Sequence, residues 1–151
     1  MEYGVIEREI YVEASPEVVF EVVSSPEHVQ QWWPDEARYD VVPGAMGEIV
    51  FGQGPEASVV QFTVVDALPP RTFSFRWTNP AGEPAAEGNS LLVTFDLTPS
   101  GGGTLLKMTE TGFREMGWEV AVLEEQYLDH VNGWDHFVPR LATYIATLVR
   151  S

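Results

Sequence analysis

From Glu119 to Arg150 the sequence reads EVAVLEEQYLDHVNGWDHFVPRLATYIATLVR, and this stretch decides the fold. Turned at about 100° per residue from Trp134, the residues Tyr127, His130, Phe137, Val138, Leu141, Ile145 and Leu148 share its stripe. Asp129, His136, Arg140, Thr143 and Thr147 fall elsewhere. A helix with one apolar stripe must lay it on something. Pro139 stands on the outward side, where it removes the hydrogen bond to the carbonyl of Asp135 and predicts a helix bent convex toward solvent. Two helices parted near Val138-Pro139 are the alternative.

What the stripe covers is legible upstream. Between Tyr39 and Thr111 the chain is rich in β-branched and aromatic residues, punctuated by Pro-Gly, Gly-Pro, Pro-Pro, Asn-Pro and Gly-Gly-Gly. Strands are predicted at Tyr39–Val42, Gly47–Gly52, Ser58–Leu68, Thr72–Thr78, Ser90–Thr98 and Thr104–Thr111. Their alternation places Phe62, Val64, Phe73, Phe75, Trp77, Leu91, Val93, Phe95, Leu97, Leu106, Met108 and Glu110 on one face, with mostly polar residues between them. One face is covered and the other is wet. Ala81 to Asn89, rich in Gly, Pro, Ala and Glu, is the expected mobile loop.

Val5 to Glu13 also alternates, with Ile6, Ile10 and Val12 on one side. Ser15-Pro16-Glu17 and Ser25-Pro26-Glu27 each combine a capping serine with a proline suited to a first helical turn. They predict two short helices, the second carrying Val29, Trp32 and Trp33 until Pro34 ends it.

At 151 residues one domain, 1–151, is expected, able to bury roughly 68–70% of its unfolded surface. The 44% hydrophobic content supplies a core. Eight Lys and Arg against 23 Asp and Glu give a formal charge of −15, which repels phosphate backbones and anionic lipid surfaces. No nucleic acid and no membrane insertion are expected, and Met1 to Gly4 lack the basic start of a secretory leader. A cytoplasmic location is the expectation. The absence of cysteine excludes disulfides, thiolate nucleophiles and Cys-ligated zinc.

The order of strand, two short helices, antiparallel strands and long final helix is that of the α+β helix-grip fold. The stretch Val12-Glu13-Ala14-Ser15-Pro16-Glu17-Val18-Val19-Phe20-Glu21-Val22-Val23, followed by Pro26-Glu27-His28 and Gln31-Trp32-Trp33, resembles the opening of the SRPBCC, or START-like, superfamily. Leu68-Pro69-Pro70-Arg71-Thr72-Phe73-Ser74-Phe75-Arg76-Trp77, the end of the strand at Thr111-Gly112-Phe113, and His130-Val131-Asn132-Gly133-Trp134 narrow the resemblance. They are similar to the branch named after the heat-shock protein 90 ATPase activator homologue, with its polyketide cyclase-like relatives. The resemblance implies a deep cavity between sheet and final helix, used across the superfamily for lipids, sterols, polyketides and other apolar molecules. Pro139 departs from the usual uninterrupted helix.

Binding of a hydrophobic or aromatic small molecule is therefore the expected function, without enzymatic activity. The ligand-binding candidates are Trp32, Trp33, Phe62, Phe75, Trp77, Phe95, Met108, Glu110, His130, Trp134, Phe137 and Leu141. Glu110 and His130 are the one acid and the one imidazole facing inward. They either hydrogen-bond sheet to helix, or orient a polar group of the ligand, or act as acid and base. The last option is a polyketide cyclase or aromatase-like enzyme. A co-chaperone module using the outer sheet or the acidic residues Glu115, Glu119, Glu124, Glu125 and Asp129 is a further alternative, although a solvated helix face explains those charges. His28, His130 and His136 lack metal-ligand spacing, and His28 and His136 read as solvated. Gly101-Gly102-Gly103 is a hairpin turn, not a phosphate loop, and no serine sits in a nucleophile elbow. Neither metal nor cofactor is expected.

Overall fold

The computed structural model of the chain describes residues 4–150, Arg150 by its backbone alone. Met1 to Tyr3, within the stretch where a secretory leader would begin, and Ser151 lie outside them. Strand β1 (Val5–Val12) leads to helices α1 (Pro16–Ser24) and α2 (Pro26–Trp32). Then come β2 (Glu36–Arg38), β3 (Met46–Phe51), β4 (Ser58–Leu68), β5 (Thr72–Trp77), β6 (Leu91–Ser100), β7 (Gly103–Thr111) and helix α3 (Val120–Arg150). The strands form one antiparallel seven-stranded sheet of order β1-β7-β6-β5-β4-β3-β2, the helix-grip arrangement.

Local chemistry explains the elements. Ser15 Oγ accepts the N–H of Val18 at 3.3 Å, capping α1 behind Pro16. Ser25 does not repeat this with its hydroxyl; its carbonyl accepts the N–H groups of His28 and Val29 instead. Gly101 and Gly102, at φ 52° and 92°, form the two-residue β6–β7 turn that needs positive φ at both central positions.

The weakest expected strand, Tyr39–Val42, is not one. The strand lies just upstream, where Glu36–Arg38 pair with Val50–Glu48, because Tyr39 leaves the sheet to pack inward. Its ring stacks on Phe62 at 4.3 Å and its hydroxyl donates to the Ser24 carbonyl at 2.7 Å; burial raises the pKa of this phenol.

The inner face of the sheet is dry. Phe62, Phe73, Phe75, Phe95, Leu106 and Met108 are all buried beneath α1, α2 and α3, each contributing about 1.5–3 kcal/mol of burial. Helix α3 runs through Pro139 as one helix, with Pro139 exposed and Trp134, Val138, Leu141 and Ile145 buried. Polar contacts fix its rotation on the sheet. The Tyr127 hydroxyl donates to the Val5 carbonyl at 2.8 Å, and Arg8, on the inward side of β1, meets Asp135 at 2.7 Å. His28 is half-buried rather than solvated, with Nδ1 2.7 Å from the Tyr144 hydroxyl, joining α2 to α3. No helix among the described residues is long and apolar enough to cross a membrane.

Candidate functional site

Glu110 lies on β7 between Ile6 of β1 and Val93 of β6 and is wholly buried. Burying a carboxylate among apolar neighbours is costly unless its oxygens are hydrogen-bonded. Three donors do this. Oε2 accepts the Trp77 indole N–H at 2.8 Å, and Oε1 accepts the Trp134 indole N–H at 2.8 Å and His130 Nδ1 at 2.9 Å. An indole nitrogen can only donate, so both oxygens accept from tryptophan, and His130 Nδ1 donates to Oε1 whenever the ring carries its proton there. Nε2 is the other end of the ring, and among the described residues no hydrogen bond to it is found.

Burial pulls the pKa of His130 down, but the hydrogen bond to Glu110 and the charges of Glu110 and Asp129 outweigh it and leave it raised. Nε2 is thus a proton donor over a wider pH range than in a free imidazole.

Aromatic rings surround the pair. Trp33, at the position that ends α2, lies with its ring centroid 5.0 Å from that of Trp77, 5.2 Å from Trp134 and 5.5 Å from Phe75. Beside this cluster is a cavity of about 310 Å³. Its sheet side is formed by Phe51, Val60, Trp77 and Thr78, its helix side by Asp129, His130, Gly133, Trp134 and Phe137, and Trp33 completes it.

Of the residues expected from sequence, Trp33, Trp77, His130, Trp134 and Phe137 line this cavity. Trp32, Phe62, Phe75, Phe95, Met108 and Leu141 are buried and do not line it; Glu110 stands behind it, reaching it through His130. Around those buried residues the space is occupied by side chains, some of them from α2. Trp32 donates its indole N–H to the Val22 carbonyl at 3.0 Å and sets its ring edge-on to Phe95.

Phe51, Val60, Thr78, Asp129 and Gly133 complete the lining and are not among the ligand-binding residues expected from sequence. Phe51 was recoverable from its strand. Gly133 carried a signal, since a glycine inside a helix costs about 0.5–1 kcal/mol relative to alanine. Thr78 is a β-branched residue at φ 69°, a conformation such residues rarely adopt, and its buried hydroxyl has no hydrogen-bond partner among the described residues. Backbone strain and an unmet hydroxyl coincide at the cavity wall, as at sites kept for a ligand.

A larger groove of about 570 Å³ lies on the wet face of the sheet beside Arg38, Glu48, Gln61 and Asn79. Arg38 is occupied there by Glu36 and Glu48, which raise its pKa. The smaller cavity is where aromatic surface and a polar anchor coincide.

The family model described as activator of Hsp90 ATPase homolog 1-like protein matches residues 13–146. Among solved structures, the chain is similar to protein MLL2253 from Mesorhizobium loti, with 22% identity, a TM-score of 0.76, and 95% of this chain and 97% of that one covered. CalU16 from Micromonospora echinospora is similar at 21% identity and TM-score 0.65, with 99% and 83% covered. The Aha1 dimer from Colwellia psychrerythraea follows at 18% identity and TM-score 0.63, with 95% and 92% covered. No curated protein sequence matches.

Proposed function

Because this chain belongs to the family of activator of Hsp90 ATPase homologue 1-like proteins and carries an aromatic cavity with one interior polar anchor, we propose that it binds a small aromatic or apolar molecule there. The observation that carries this reading is the pairing of His130 with Glu110. A buried carboxylate holds the imidazole through Nδ1, and the same histidine lines a cavity walled by three tryptophans. Ligand pockets have this composition: mostly apolar surface with a few placed polar groups.

The volume narrows the ligand class. About 310 Å³ lies at the small end of the roughly 300–1,000 Å³ range of such pockets. A compact ring system fits that space better than an extended lipid chain. Its faces would lie against Trp33, Trp77 and Trp134, and a hydroxyl at its edge would meet His130 Nε2, accepting from it when the ring is protonated and donating to it when the ring is neutral. Proton transfer on a bound ring would have to pass through that same nitrogen, since Glu110 is sealed behind it. Identity of 18% to Aha1 carries the fold and not a chaperone partner.

Native mass spectrometry of the purified protein, followed by denaturation, tests the reading, together with titration by 2-naphthol monitored through tryptophan emission. A released small molecule or saturable quenching is expected. Absence of both would sink it.

A further inference from the structure

Gly133 sits in the middle of α3, where glycine weakens the helix. Neither backbone nor packing requires it. Its φ is not in the left-handed region, and a Cβ built on it would meet nothing within 4 Å. Elsewhere the chain shows what a packing glycine looks like: a Cβ on Gly47 would fall 2.1 Å from the Arg38 carbonyl oxygen. At Gly133 the missing side chain leaves space, and that space belongs to the cavity. One helical turn away on either side stand His130 and Phe137, with Trp134 adjacent, so the bare backbone forms the floor between the polar anchor and the aromatic wall.

We propose that Gly133 is the specificity-determining residue of the cavity: by leaving the α3 backbone bare beside His130, it admits flat fused-ring aromatic molecules that a side chain at this position would exclude. The inference rests on the ligand-binding reading above and adds which residue sets ligand size. A single ring can sit against the tryptophans without reaching the helix floor. A second fused ring must lie across Gly133, where one methyl group occupies its place.

The test compares 2-naphthol with phenol by saturable quenching of tryptophan emission, in the wild-type chain, Gly133→Ala and Asn132→Ala. Residue 132 is exposed, and alanine there strengthens the helix without touching the cavity. Both variants are expected to melt at a higher temperature than wild type. Gly133→Ala is expected to bind 2-naphthol about tenfold more weakly, a change of about 1.4 kcal/mol, and phenol within about threefold of wild type. Asn132→Ala is expected to leave both affinities unchanged. Retention of 2-naphthol affinity within about twofold in Gly133→Ala, or an equal loss for both probes, would overturn the assignment while leaving the binding reading intact. Absence of saturable binding of either probe to the wild-type chain would overturn both together.

Discussion

Glu110 answers to three donors, and this makes it the residue on which sheet, helix and cavity jointly depend. Replacing it by glutamine keeps the shape but turns one oxygen into an N–H₂ group facing an indole or imidazole N–H. A buried donor left without an acceptor costs about 1–3 kcal/mol, so Glu110→Gln is expected to lose that much stability in urea unfolding. The pH dependence follows from the same contact. His130 has a raised pKa in the folded chain, where burial lowers it but the hydrogen bond and charge of Glu110 and the charge of Asp129 prevail. In the unfolded chain it titrates near the ordinary value of about 6.5. A raised folded pKa means that the native state binds the proton more tightly, so the stabilisation is complete below about pH 6.5 and is lost as pH rises through the folded value. Urea midpoints measured upward from about pH 6 are expected to fall more steeply for wild type than for Glu110→Gln. Parallel curves would show that the pair does not couple protonation to folding.

Helix α3 is held by its buried stripe and by contacts from Tyr127, Asp135 and Tyr144, strong enough to carry Pro139 within one helix. A proline in a helix interior costs up to about 3 kcal/mol through its missing N–H and its ring. Because Pro139 is exposed, alanine there restores the bond to the Asp135 carbonyl without disturbing the core. Pro139→Ala is expected to gain about 1 kcal/mol or more, seen as a higher melting temperature by circular dichroism; a lower one would mean that the proline fits the curvature the sheet requires. This element also shows where sequence reading stops. A period of 3.6 placed Trp134, Val138, Leu141 and Ile145 on the buried side, and a period of 2 placed Phe62 through Glu110 on one face of the sheet, because both periods follow from backbone geometry. Neither period says how far along the face the filling extends. Whether Leu141 and Met108 lined a cavity or packed solidly depended on α1 and α2, whose docking is a tertiary fact. The β propensity of Tyr39 predicts a strand there, and stacking on Phe62 overrides it. The strain at Thr78 had no local signature beyond the turn that follows it.

Over the whole molecule the dominant physical fact is charge. The formal balance of −15 acts on a body whose radius of gyration is about 15 Å for a domain of this length. At about 0.01 M ionic strength the screening length is about 30 Å, so all the carboxylates repel one another across the fold; at about 1 M it is about 3 Å and only contacts remain. Opposing this repulsion are the surface pairs Arg8–Asp135, Lys107–Glu7 and Arg38 with Glu36 and Glu48, exposed contacts that contribute little and are weakened by the same salt. The Glu110–His130 pair is buried and therefore screened much less. With 23 acids against eight bases, the repulsive sum outweighs the few attractive contacts. Adding sodium chloride from about 0.01 M to about 0.3 M is thus expected to raise the melting temperature, most of the change falling in the first tenth molar, where the screening length shrinks from about 30 Å to about 10 Å. A melting temperature that falls over that range would mean that the surface pairs, and not the net charge, govern how the fold responds to ions.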